Sequence, residues 1–380
     1  MGLVSRRRFL RSHLAGTALA LAGSTAGPLS IAARAREPAL ADTFHLRDFG
    51  VTGKDERDVS EAFQDAIDTA GRQGGGIVQC PAGLIWAKGL VVPNNITIQG
   101  AGVGATTIKL PDGANQDVIQ QSGYAENKTF ANLYFVLRDL AIDGNKTKNK
   151  TGNLVVLRGY RGLLERVRFA RAAGHGVLYT EPSADGTLNL NGLAENAIRG
   201  CYFDDCDGAG IYARNGTGNR IADMFIVDSV FNGNGKADFY QIDLERAAGF
   251  HIKGNQMYRG YLGDIRALRA GALIIAFNHL DGTDNRAVGG IVKQVQVQLG
   301  GWGNIVIAGN LFHSHRQLDA EVKSWRQLDV YASKQSGVTI AGNSFVSEFQ
   351  AGADSIFLQG AGASAVSLSG NAYGEKSRPP

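Results

Sequence analysis

The sequence predicts an all-β fold: a single-stranded right-handed parallel β-helix, a solenoid closed by an N-terminal capping helix. Three observations carry this. Short strands rich in Ile, Val and Leu recur through the second half of the chain and end in one kind of corner, an Asn two residues before an apolar side chain. The corners recur at spacings that suit one coil of a solenoid. Gly is abundant, 51 of 380 residues, while Pro stands at only 8, which suits a fold with many tight corners and not a disordered chain.

The repeat is explicit. Asn255, Asn278, Asn310, Asn343 and Asn371 follow Ile252, Ile275, Ile307, Ile340 and Leu368, and precede Met257, Leu280, Phe312, Phe345 and Tyr373. Weaker copies place Cys201 before Phe203 and Ser229 before Phe231. Spacings of 23, 32, 33 and 28 residues match a coil of about three short strands and three turns, each strand pairing with the next coil at about 4.8 Å. The Asn amides are expected to stack as a ladder that satisfies buried polar groups, with the apolar residues stacked inside. A leucine-rich solenoid would need Leu at consensus positions, and a propeller repeats at about 40 residues or more.

Upstream, residues 59–70 have Phe63, Ala66, Ile67 and Ala70 at helical spacing. Gly74-Gly75-Gly76 ends this helix, and strands follow at 77–80, 84–87 and 96–99. The series Asp48-Phe49-Gly50-Val51, Ala62–Asp68, Gly74–Gly83, Ile96–Gly102 and Thr106–Ile108 resembles the N-terminal region of the pectate-lyase superfamily. The resemblance implies that the helix caps the open end of the β-helix. It implies little about the reaction, because that superfamily holds lyases, glycosidases, epimerases and phage tailspikes.

The formal charge of +4 misleads. Residues 1–35 hold Arg6, Arg7, Arg8, Arg11 and Arg34 and no acid, and without them 34 basic residues face 35 acidic ones. A nearly neutral chain lacks the electrostatic footprint of a nucleic-acid partner. Ser5–Arg11 resembles a twin-arginine export signal, followed by an apolar stretch from Leu14 to Leu21 that is too short to span a membrane. The expectation is a targeting segment and linker over 1–41, a β-helix domain over 42–380, and a periplasmic or secreted location. Cys80, Cys201 and Cys206 are too few for a disulfide framework; Cys201 and Cys206 could pair, and burial as free thiols is the plainer expectation.

For the chemistry, coil register is the guide. Taking Val177, Ile211, Ile242, Ile265, Ile291, Val330 and Ile356 as inward, alternation turns a charged and aromatic stripe outward in the middle coils. Its expected catalytic members are Asp243, Glu245, Asp264, Arg266, Lys293 and His175. Tyr212, Arg214, Tyr240, Gln241, Asp329 and Tyr331 are the expected substrate-binding members. The expected partner is a polysaccharide, and a homo-oligomer is compatible with such a rod. β-Elimination on a uronic acid chain needs a cation to neutralise the carboxylate and groups that remove and supply protons. Hydrolysis needs two carboxyls flanking the bond. Elimination is slightly preferred, with hydrolysis, epimerisation or intramolecular transfer, and a non-catalytic carbohydrate-binding or tailspike-like role as alternatives. Gly174-His175-Gly176 resembles a polygalacturonase element, but that family's Asn-Thr-Asp and Arg-Ile-Lys motifs are absent. No cofactor is required. His313 with His315 as metal ligands, and calcium at Asp204-Asp205-Cys206-Asp207, are weaker options.

Overall fold

The computed structural model describes residues 42–190, 192–216, 221–236, 238–281, 291–314, 321–347 and 354–375; for 291–294, 321–325 and 354 it describes the backbone alone. The targeting segment expected over 1–41 lies outside the described residues.

Each coil contributes one strand to an eleven-stranded sheet and two to a twenty-two-stranded sheet. One coil reads Ile211–Arg214, Met224–Val227, Val230–Asn232 before the next begins at Ile242–Leu244. Every strand pair is parallel, as stacking of successive coils requires. The interior is predominantly an apolar column. Phe169, Phe203 and Phe231 stack at centroid spacings of 4.8 and 4.7 Å, and Phe312 on Phe345 at 4.6 Å; these spacings match the coil rise.

The Asn ladder forms as expected. The Asn255 amide donates to Asn278 Oδ1 (3.0 Å), Asn278 to Asn310 (2.9 Å), Asn310 to Asn343 (2.9 Å) and Asn343 to Asn371 (3.1 Å). Each also caps a main-chain carbonyl, as Asn310 does Ile275 O at 3.0 Å. Ser229 and Cys201 continue the same corner: Ser229 N–H donates to Asn255 Oδ1 and Cys201 N–H to Ser229 Oγ. A left-handed Gly precedes the Asn at 254, 309, 342 and 370; Phe277 takes this conformation in the remaining rung, at φ 56° and 72% exposed.

The helix Ser60–Arg72 buries Phe63, Ala66, Ile67 and Ala70. Its Gln64 side chain accepts from Val91 N–H and donates to Val91 O (2.9 and 2.8 Å). It thereby fills the bonds on the free edge of Leu90–Val92, the end strand of the eleven-stranded sheet. All three cysteines are free and buried. Among the described residues no helix is long and apolar enough to cross a membrane.

Candidate functional site

The eleven-stranded sheet sets the register of the stripe. Val155, Val177, Ile211, Ile242, Ile265, Val297, Leu328 and Ile356 occupy one inward row. This corrects the expected register. Val297, not Ile291, follows Ile265, and Val330 belongs one inward position further on, opposite Leu299. The reason is length: Ile291–Gly301 is an eleven-residue strand with several apolar residues of suitable alternation, and only pairing with neighbouring coils selects among them. Lys293 therefore does not flank Arg266, where Gln298 stands instead; its own side chain lies outside the described residues.

Two outward rows follow. The first runs Val156, Leu178, Tyr212, Asp243, Arg266, Gln298, Asp329, Phe357. The second holds Thr180 opposite Arg214, and Gly300 opposite Tyr331 and Gln359. Glu245 and Leu268 occupy its places in the coils between.

Within these rows a compact group forms around Tyr212. Its hydroxyl donates to Glu245 Oε1, while Asn215 N–H donates to Glu245 Oε2 at 2.8 Å. Burial, reinforced by Glu245, pushes the Tyr212 phenol up, so it keeps its proton at neutral pH. His175 lies beside it at 4.7 Å between ring centroids, and Phe239 closes the triangle at 4.8 Å from His175 and 5.3 Å from Tyr212. His175 Nδ1 accepts from Ala209 N–H at 3.0 Å, which leaves the proton of the neutral ring on Nε2. Burial pushes the His175 imidazole down to about 4. Arg214 is exposed on the same strand, and among the described residues no carboxylate pairs with it.

The next coil is self-neutralised. Arg266 donates from Nε to Asp243 Oδ1 at 2.9 Å and from its second nitrogen to Oδ2, and its guanidinium sits 5.1 Å from the centroid of the Tyr240 ring. Tyr240 is buried beneath it. Burial pushes the Asp243 carboxyl up despite Arg266. Further along, Asp329 is buried and taken by Arg326 (2.6 Å) and Gln359 (2.8 Å), whereas Tyr331 is exposed.

Asp264 and Gln241 are corrections. Both were expected in the stripe; both are wholly buried. Gln241 and Gln296 donate their amides to the two Asp264 oxygens at 2.9 and 3.0 Å, an interior polar ladder analogous to the Asn corner. They precede the inward Ile242 and Ile265 at the turn into the strand, where simple alternation does not hold. Burial pushes the Asp264 carboxyl up to about 7. The Asp-rich turn is neutralised internally: Lys146 holds Asp205 and Asp207 (2.7 and 2.8 Å), and Arg168 holds Asp204. His313 pairs with Asp281 at 3.3 Å, His315 lies outside the described residues, and no metal-ligating cluster occurs among the described residues.

Sequence reasoning missed Phe239 and Arg158. Phe239 carried no signal, since it sits on the turn before its strand. Arg158 did carry one: Val155-Val156-Leu157-Arg158 aligns with Ile211-Tyr212-Ala213-Arg214 rung for rung.

Comparisons with known proteins agree with this architecture. A family model described as rhamnogalacturonase A/epimerase, pectate lyase-like, matches residues 43–256, and one for a right-handed β-helix region matches 186–373. Mannuronan C5-epimerase AlgE5 of Azotobacter vinelandii is 30% identical over 249 residues, 57% of this chain and 24% of its own length. AlgE4 of that organism is 32% identical over 211 residues, 50% of this chain and 34% of its own. Its alginate lyase 7 is 30% identical over 210 residues, 50% and 22%. The alignments thus span about a third of these relatives' length at most. Among solved structures, the Streptococcus pneumoniae surface protein and adhesin PfbA superposes with TM-score 0.59 at 14% identity, covering 88% of this chain and 98% of that one. The Dettilon tailspike protein gives 0.52 at 11%, covering 89% and 67%. These two likenesses concern the fold alone.

Proposed function

We propose, from the premise that this chain belongs to the rhamnogalacturonase A/epimerase, pectate lyase-like family, that it acts on a uronic-acid polysaccharide by removing the C5 proton of a uronate. The observation that carries this reading is Arg214, an exposed cation without a carboxylate partner among the described residues, next to the Tyr212–Glu245 pair. A substrate carboxylate can supply the partner that Arg214 lacks. Neutralising it makes the adjacent C–H acidic, because the electron pair left on C5 delocalises into a carboxylate held by a guanidinium.

The abstracted proton is taken up within the group. Tyr212 oxygen takes the C5 proton as its own proton passes to Glu245, and the carbanion rests on the carboxylate bound by Arg214. From there, expulsion of the C4 oxygen, which takes a proton back from Tyr212, gives an unsaturated uronate and a cleaved chain; protonation of C5 by water from the opposite face gives the C5 epimer, the proton held on Glu245 returning through Tyr212 to solvent. His175, neutral and with its proton on Nε2, adds a hydrogen-bond donor beside Tyr212. Alginate-type uronans are the substrate class suggested by the relatives, which are named for mannuronan and alginate. Hydrolysis by paired carboxyls has less to support it: Asp264 is buried and Asp243 is bound by Arg266, which leaves Glu245 alone. Export through the twin-arginine route would bring the enzyme to such polymers outside the cytoplasm.

Incubation with mannuronan, alginate and pectic uronans in deuterated water tests the proposal. Ultraviolet absorbance from unsaturated ends reads elimination; deuterium at C5 without new ends reads epimerisation. New reducing ends with neither signature would sink it in favour of hydrolysis.

A further inference from the structure

The rows that hold Tyr212 and Arg214 continue into the two preceding coils, and there they are covered. Leu178 and Val156 precede Tyr212; Thr180 and Arg158 precede Arg214. All four are buried. Two loops, residues 122–131 and 181–190, lie over them and are sewn together. Leu190 N–H donates to Thr129 O at 2.7 Å, Ala184 N–H to Tyr124 O at 3.3 Å, and Asp185 N–H to Asn127 Oδ1 at 3.0 Å.

Arg158 fastens both loops from below. Its Nε donates to Glu181 O (2.7 Å), one terminal nitrogen to Gly123 O and Lys128 O (2.6 Å each), and the other to Thr187 O (3.0 Å). Burying a guanidinium is costly unless its donors are met, and this one is met only with both loops in place. Loops held in this way resist opening. They are also bonded to the group around Tyr212: Glu181 Oε2 accepts from Gly216 N–H at 2.9 Å, and the neighbouring Asn215 N–H serves Glu245. Away from this wall the second row is accessible, with Leu268 and Tyr331 each 51% exposed.

We infer that this stapled wall closes one end of the trough immediately beside Tyr212 and Arg214, so that the enzyme engages a polysaccharide by one chain terminus and works from that end. This rests on the reading of Tyr212, Glu245 and Arg214 as the uronate site. A polymer running on past Arg214 would meet Thr180, Arg158 and the two loops, while the coil rise of about 4.8 Å is close to the length of one sugar unit, so units can be seated coil by coil in the accessible direction only.

The test is binding, which needs no turnover. Uronate hexamers are attached to a sensor surface through either their reducing or their non-reducing terminus, and a free hexamer is titrated in solution. One attachment is expected to bind at least tenfold more tightly than the other. Arg158→Lys, with too few donors for four carbonyls, is expected to narrow that difference to threefold or less. Since this variant could fail to fold, a second one with Ala184–Thr187 replaced by two glycines makes the same prediction. Equal affinity of the wild type for both attachments, or for neither while the free hexamer binds, overturns end-on engagement and leaves the uronan reading standing. No binding of any hexamer removes both.

Discussion

Two faces of the same solenoid obey opposite rules. At the Asn corner, five successive coils place the same side chain at the same point, and each amide meets its copy. On the outward rows of the eleven-stranded sheet no two neighbouring coils carry the same side chain: Tyr212 faces Asp243, Asp243 faces Arg266, Arg266 faces Gln298. Identity between coils yields bonds that the fold consumes internally. Difference between coils pairs some side chains, as Asp243 with Arg266, and leaves others open to a ligand, as Arg214, which has no carboxylate partner among the described residues. The contrast teaches that in this architecture repetition stabilises and variation leaves room for a site.

The contrast is broken most severely at the site itself. Tyr212→Phe removes one hydroxyl and is expected to lower turnover about a thousandfold, with the midpoint of thermal unfolding little changed; steady-state rates beside a melting curve check both halves. At the corner the pattern reverses. Asn310→Ala orphans Asn278 N–H and Ile275 O, so it is expected to cost about 3 kcal/mol in denaturant unfolding while kcat of the remaining folded protein holds. Asn371→Ala, at the half-exposed end of the ladder, should cost about 1 kcal/mol, and equal losses at 310 and 371 would show that the rungs do not act in series.

Arg214→Met is a milder break. If the substrate supplies its carboxylate partner and the carbanion rests there, its loss is expected to lower kcat/KM about thirtyfold, with kcat falling as well as KM rising, and leave stability unchanged. A loss of stability instead would mean that Arg214 has an internal partner and belongs with the corner.

A pH dependence sharpens the comparison, because Asp264 looks like a site residue and behaves like a rung. Its carboxyl titrates at about 7 in the fold because it is buried, against about 4 in the unfolded chain. The native state therefore keeps a proton that the unfolded chain has already lost. Stability is fully present below pH 4, falls by at most about 1.4 kcal/mol per pH unit as pH rises toward 7, and is level above. Asp264→Asn should flatten that slope in unfolding measured from pH 4 to 8; an unaltered slope would assign it to another group.

How much was legible follows the same division. Asn255 to Asn371 could be read as a ladder because periodic identity is visible in one dimension. So could the helix, since Phe63, Ala66, Ile67 and Ala70 share a face by spacing alone. The outward rows were legible where strands are short: Tyr212, Arg214, Asp243, Glu245 and Arg266 fall where alternation puts them. They became illegible where a strand is long, as at Ile291–Gly301, or where a residue sits on the turn just before its strand, as Asp264 and Gln241 do.

By itself, the sequence determined the coil repeat, the identity of the stacked residues and, on the short strands, the outward places of Tyr212, Arg214, Asp243, Glu245 and Arg266. Those depend on spacing along one chain. Which acid is bound by which cation, that Arg214 is left exposed while Arg266 is not, that Asp264 points inward, and that two distant loops meet over Arg158 were decided by the tertiary structure alone. Each is a matter of distance between residues some 20 to 60 positions apart, and only the stacking of coils sets those distances.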